Sequence, residues 1–237
     1  MNTTTTKILL SLCISLCIPG DCGADWPQAS GPSYNYVTDG QAPTFFSGTT
    51  GTNVRWRTKL PNTGQGTPVI YGNRIFIQCH EPISQDTEMS SLTIGLCFDA
   101  DTGKELWRRE IPAARTTDLS SLFSDNTAAS SIVTQKIVAF VNVGGRISVY
   151  DHDGNPKWTH SWVPFGRHHS RQHEPFVFDN QIIVVKTVKD GLPLSATTKS
   201  GSHPLGRGNE YWTHLHAFDL ETGKTNWVAK TGTGCHA

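Results

Sequence analysis

Short apolar runs of three to seven residues recur along the chain, each broken by a tight polar turn. Residues 67–79 read TPVIYGNRIFIQC, residues 130–143 SSIVTQKIVAFVNV and residues 174–186 EPFVFDNQIIVVK. Each stretch predicts a short strand, a turn and a more apolar strand. A second pattern comes after each of them: CFDADTGKELW (97–107), VYDHDGNPKW (149–158) and AFDLETGKTNW (217–227). Here a β-rich run leads to Asp, a Gly-containing turn and a Trp that opens a return strand. Gly supplies the positive φ of a hairpin turn, and the Asp side chain can bond its own backbone two residues on. One unit therefore holds four strands in sequence, A to D.

The units repeat with a period of about fifty residues. Trp56, Trp107 and Trp158 are evenly spaced, and the longer gap to Trp227 marks an insertion in the third unit. Four-stranded units at this period predict an all-β fold, a β-propeller of four-stranded antiparallel blades, rather than a sandwich of hairpins. A sandwich does not require the same turn and the same Trp in every unit; blades that pack on one another in the same way do. The expected organisation is a 25–52 extension, a lone closing strand at 53–61, and blades at about 66–111, 127–163 and 173–231. About three blades are expected to be present. Three blades do not close a ring, so the sequence reads as a fragment of a larger propeller.

Composition adds a compartment. Twenty basic and twenty acidic residues cancel, so no global field favours nucleic acid, and charged residues are only 17% of the chain. Lys7 precedes an apolar run from Ile8 to Ile18, broken by Pro19 and Gly20 and ending in small residues at Ala24. This is the pattern of a secretory signal peptide over residues 1–24, with cleavage after Ala24 and no transmembrane helix thereafter. The expected location is extracytoplasmic, periplasmic or secreted. Cys79, Cys97 and Cys235 stay in the mature chain. Cys79 ends one strand and Cys97 lies in the next strand of the same blade, so a disulfide across the hairpin stands beside the reading of two small buried residues.

The Asp-x-x-Thr-Gly-Lys-x-x-Trp motif that closes the units resembles the pyrroloquinoline-quinone (PQQ) repeat. DWPQASGP at 25–32 is similar to the opening of large secreted bacterial propellers of that kind, with Ser30 in place of a usual Arg. The resemblance implies a quinoprotein-like propeller, eight-bladed when complete, of the type found in quinoprotein dehydrogenases and in the BamB-like outer-membrane assembly lipoproteins. It makes Asp99, Gly103, Trp107, Asp151, Gly154, Trp158, Asp219, Gly223 and Trp227 structural repeat positions. Catalytic members of the family usually carry an adjacent Cys-Cys pair, a calcium site and a catalytic Asp. No Cys-Cys pair occurs here. No catalytic residue, resident metal or cofactor is therefore expected, with PQQ and calcium only under the alternative of a dehydrogenase fragment.

Chain topology places the working face. The A–B and C–D turns are short, whereas the B–C turns and the D-to-A crossings are long and irregular and fall on one face, where binding residues concentrate. That face supplies the candidates His80, Arg115, Arg167, His168, His169, Arg171, His173 and Glu174. The histidines with Glu174 offer metal ligands, but Arg167 and Arg171 oppose a cation and the spacing fits no zinc signature. A polar loop facing an anion or saccharide, and a solvated loop without ligand, remain the other readings. The expected function is a non-catalytic binding or scaffolding module for a protein or saccharide partner.

Overall fold

The computed structural model describes residues 25–38, 43–81, 92–114, 126–164, 173–187 and 213–232. These form three four-stranded antiparallel sheets, and no helix long and apolar enough to cross a membrane occurs among them. The first sheet runs in order through β1 (Val69–Tyr71), β2 (Arg74–His80), β3 (Leu92–Asp99) and β4 (Glu105–Pro112). The second holds β5 (Ile132–Val133), β6 (Val138–Asn142), β7 (Arg146–Tyr150) and β8 (Pro156–Ser161), and the third β9 (Phe176–Phe178), β10 (Gln181–Thr187), β11 (Thr213–Asp219) and β12 (Thr225–Gly232). The three repeated Trp residues occupy one register position: Trp107 pairs with Cys97, Trp158 with Val149 and Trp227 with Ala217. A register shift occurs at the same step in each sheet. Such a bulge adds twist and re-aims the Trp out of its own sheet.

Each C–D turn is built by its Asp. Asp99 Oδ1 accepts from the Thr102 amide at 2.8 Å and its hydroxyl at 2.7 Å, while the Gly103 amide donates to Asp99 O. Asp219 and Thr222 repeat these bonds with the same distances. In the shortened second turn Asp151 Oδ1 takes the amides of Asp153 and Asn155 instead. The Thr102 hydroxyl bond, then that of its amide, holds the Asp99 carboxyl below the usual carboxylate range.

The turn is also a socket. Trp56 donates from Nε1 to Ala100 O at 2.8 Å, Trp107 to His152 O at 2.8 Å and Trp158 to Leu220 O at 3.1 Å. In every case the acceptor is the residue after the turn Asp of the next sheet. A Cβ on Gly103, Gly154 or Gly223 would lie 2.4, 2.9 and 2.4 Å from the rings of Trp56, Trp107 and Trp158. All three glycines have positive φ as well. The motif thus needs Gly twice over, for the backbone and for the neighbour's indole. Residues 53–60 form no strand in the described structure, yet Trp56 makes the same contact with the first sheet that Trp107 makes with the second. Trp227 has no further sheet beyond it among the described residues and is 39% exposed.

Apolar clusters fill the space between successive sheets. Phe76, Trp107, Ile111, Phe140 and Tyr150 pack between the first and second, and Ala139, Val141, Ile147, Trp162, Ile182 and Phe218 between the second and third. The register separates the two cysteines. Cys79 pairs with Ile94, whereas Cys97 pairs with Phe76. Residues 76 and 79 of one strand point to opposite faces, and Cys79 and Cys97 fall in different clusters. The disulfide reading is corrected: both are buried free thiols, and burial raises the Cys97 thiol to about 12.

The segment from Trp26 to Tyr36 crosses all three sheets along their first strands. Trp26 and Ile70 of β1 exchange two backbone bonds of 2.9 Å. Pro27 O accepts from Val133 of β5 at 2.8 Å, and Gln28 Oε1 accepts from Val177 of β9 at 3.4 Å. Tyr34 then donates to Val177 O at 2.5 Å. Within the segment the Trp26 ring covers Gly31, where a Cβ would meet it at 2.9 Å. The start of the stretch that reads in sequence as an N-terminal extension therefore caps backbone groups on the first-strand edges of three blades.

Candidate functional site

Most residues of the long connections lie outside the described residues. His80 ends β2, is buried, and its amide donates to Thr63 O at 2.9 Å. Arg115, Arg167, His168, His169 and Arg171 lie outside the described residues. His173 and Glu174 lead into β9 in the third sheet, so the structure gives His80 and Glu174 to different blades. Among the described residues no three His, Cys, Asp or Glu side chains converge on a common point.

Glu174 belongs to a recurring position. Thr67, Ser130 and Glu174 each stand two residues before the first strand of their sheet. Thr67 donates its amide to Ser130 Oγ at 2.8 Å. Ser130 in turn donates its amide to Glu174 Oε2 at 2.7 Å and its hydroxyl to Oε1 at 3.0 Å. A chain of bonds therefore runs across three blades and ends on a carboxylate where the first two blades carry a small hydroxyl residue. Burial raises the Glu174 carboxyl above its ordinary range, against the opposing effect of the two Ser130 bonds.

A second departure from the template lies between the second and third sheets. Lys186 pairs with His214, and Val184 with His216, on the face of the third sheet that meets the second. The corresponding positions of the first sheet are Cys79, Ile94 and Leu96, an apolar set. Lys186 is 1% exposed, and its Nζ and the Nε2 of His216 have no hydrogen-bond partner among the described residues. Nζ sits 4.4 Å from the Phe218 ring centroid and 4.8 Å from that of Trp162. His160 of the second sheet lies 4.8 Å from Phe218. Burial lowers Lys186 to about 7. Burial and then the charge of Lys186 lower His160 to about 4; burial, then Lys186, His214 and His160, lower His216 to about 3. Burial inside the blade interface thus disfavours the charged forms of Lys186, His160 and His216. Alternation alone marks positions 184, 186, 214 and 216 as core-facing. Aligning the repeats residue by residue, so that Lys, His and His fall where Cys, Ile and Leu stand, is the signal that would have found them.

Three sheets joined by a repeated Trp-to-turn contact define a β-propeller assembled from equivalent blades. The family model described as "Outer membrane protein assembly factor BamB" matches residues 95–229. The chain belongs to this PQQ-repeat β-propeller family. Among solved structures it is similar to BamB from Moraxella catarrhalis, at 17% identity and a TM-score of 0.47, over 78% of this chain and 45% of that one. A europium-containing methanol dehydrogenase is similar at 13% identity and a TM-score of 0.46, over 71% of this chain and 25% of that one. Quinohemoprotein alcohol dehydrogenase ADHIIG from Pseudomonas putida HK5 gives 16% and 0.42, over 74% and 22%. The chain thus spans less than half the length of each. No curated protein matches it.

Proposed function

We propose that the chain is an extracytoplasmic, non-catalytic binding or scaffolding module whose partner, a protein or a saccharide, meets the long-loop face. The reading rests on the Trp26–Tyr36 segment. It fills hydrogen-bonding positions on β1, β5 and β9 with the chain's own groups. PQQ is a flat tricarboxylate that needs an aromatic floor, a stacking cap and cations for its carboxylates. The described first-strand edge offers instead a Trp26 ring turned onto Gly31 and a Glu174 carboxylate, which repels carboxylates. These described groups support the non-catalytic reading over a quinone site. The signal-like N-terminus and the description of the matching family support export.

Titration calorimetry of the chain with PQQ and Ca²⁺ tests this reading. The expected result is no measurable heat and no dye-linked alcohol oxidation. A stoichiometric, calcium-dependent isotherm in the micromolar range or tighter would replace the module with a dehydrogenase fragment.

A further inference from the structure

A cavity of about 280 Å³ opens where the N-terminal segment meets the third sheet. Its walls include Ser30, Tyr34, Tyr36, Glu174, Pro175 and Phe176. Tyr34 and Tyr36 both adopt positive φ, 57° and 60°, a conformation that bulky residues avoid and that recurs at ligand-binding positions. The backbone bond from the Tyr36 amide to Ser30 O, at 2.8 Å, and the Tyr34 hydroxyl bond to Val177 hold this conformation. It leaves the tyrosines 54% and 70% exposed beside the cavity.

The charge of the site is fixed by Glu174. The two Ser130 bonds orient its carboxylate and use one acceptor position on each oxygen. A carboxylate has about four such positions, so two remain. Among the described residues the lining contains no cationic side chain. The described aromatic rings around one oriented carboxylate suit a positively charged planar group. A guanidinium stacks on Tyr or Phe and bonds a carboxylate through a planar fork. We propose that this cavity receives an arginine side chain of a partner protein, with Glu174 as the counter-ion and Tyr34, Tyr36 and Phe176 as the aromatic walls. The proposal rests on the binding-module reading and names the chemistry that one end of its working face recognises.

The test is a saturation-transfer NMR titration of the whole chain, a method that tolerates self-association. The probes are N-acetyl-arginine methylamide, its neutral isostere N-acetyl-citrulline methylamide, and N-acetylglucosamine. The arginine probe is expected to saturate and to bind at least tenfold more tightly than the citrulline probe. Glu174→Gln and Tyr36→Ala are each expected to weaken it about tenfold or more, a loss of about 1.4 kcal/mol. Tyr36 is largely exposed, so its variant reports on the cavity without a folding defect. Equal affinity for citrulline, preference for the sugar, or no saturable arginine binding would each overturn the proposal. None of these outcomes touches the binding-module reading, which fails only on the calcium-dependent quinone isotherm.

Discussion

Trp107→Ala is expected to destabilise the protein by about 3 to 5 kcal/mol, whereas Trp227→Ala, at the same place in the repeat, should cost less than about 1 kcal/mol. The contrast comes from the neighbouring sheet that each indole does or does not meet. Trp107 is 9% exposed, donates to His152 O, faces Phe140 edge-on at 6.1 Å and covers Gly154. Its removal leaves a cavity between two sheets and takes one of two donors from the His152 carbonyl, which keeps its bond from Arg74. Trp227 has the same register but is 39% exposed. In a stack where each unit is stabilised by its neighbours, the contact is worth what the neighbour supplies. Urea unfolding monitored by far-ultraviolet circular dichroism reads both variants. Equal losses would show that the Trp acts within its own sheet rather than between sheets.

The second large effect is on acid stability. A histidine in the unfolded chain takes up a proton near pH 6.5. His160 in the folded protein does so only near 4, and His216 near 3. Both are bases with lowered folded values, so the histidines take nothing from stability above about pH 6.5 and cost progressively more as pH falls from 6.5 towards 4 and 3. Lys186 behaves likewise at higher pH, between its unfolded value near 10.5 and its folded value of about 7. Each pH unit separating the folded from the unfolded value is worth about 1.4 kcal/mol. The two histidines together therefore remove roughly 3 to 6 kcal/mol by pH 4, allowing for their partial exposure. His216→Leu, which installs the residue found at this place in the first sheet, should flatten the slope between pH 6.5 and 4. Lys186→Met should stabilise the chain at pH 7 by about 2 to 5 kcal/mol and flatten the slope above pH 7. Denaturation midpoints measured from pH 4 to 10 check this, and unchanged slopes in both variants would contradict the assignment.

The parts of this architecture that repeat were legible in the sequence. Asp99, Gly103 and Trp107, with their counterparts, identify a turn, a socket and the indole that fills the next one, because every blade meets its neighbour in the same way. The cysteines were not legible in this way. Whether Cys79 faces Cys97 depends on a register offset of three residues, which places them on opposite faces. The basic cluster was hidden because Lys186, His214 and His216 come from strands separated by the insertion, and only pairing brings them together. Glu174 stands out in the sequence for its loop, but its bonds to Ser130 arise from the approach of two blades. The Trp26–Tyr36 segment carries no repeat at all. Its course across β1, β5 and β9 is set by edge groups that become available only once three sheets stand side by side.

That course is the centre of the functional reading, and amide hydrogen exchange tests it directly. The amides of Ile70 and Val133 donate to Trp26 O and Pro27 O, and the amide of Val177 donates to Gln28 Oε1. All three should be protected in the intact chain and should lose protection together in a Trp26→Ala variant, while amides inside β6 and β7 keep theirs. Exchange of Ile70, Val133 and Val177 at the rate of open strand edges in the intact chain would mean that the first-strand edge is free, contradicting the account.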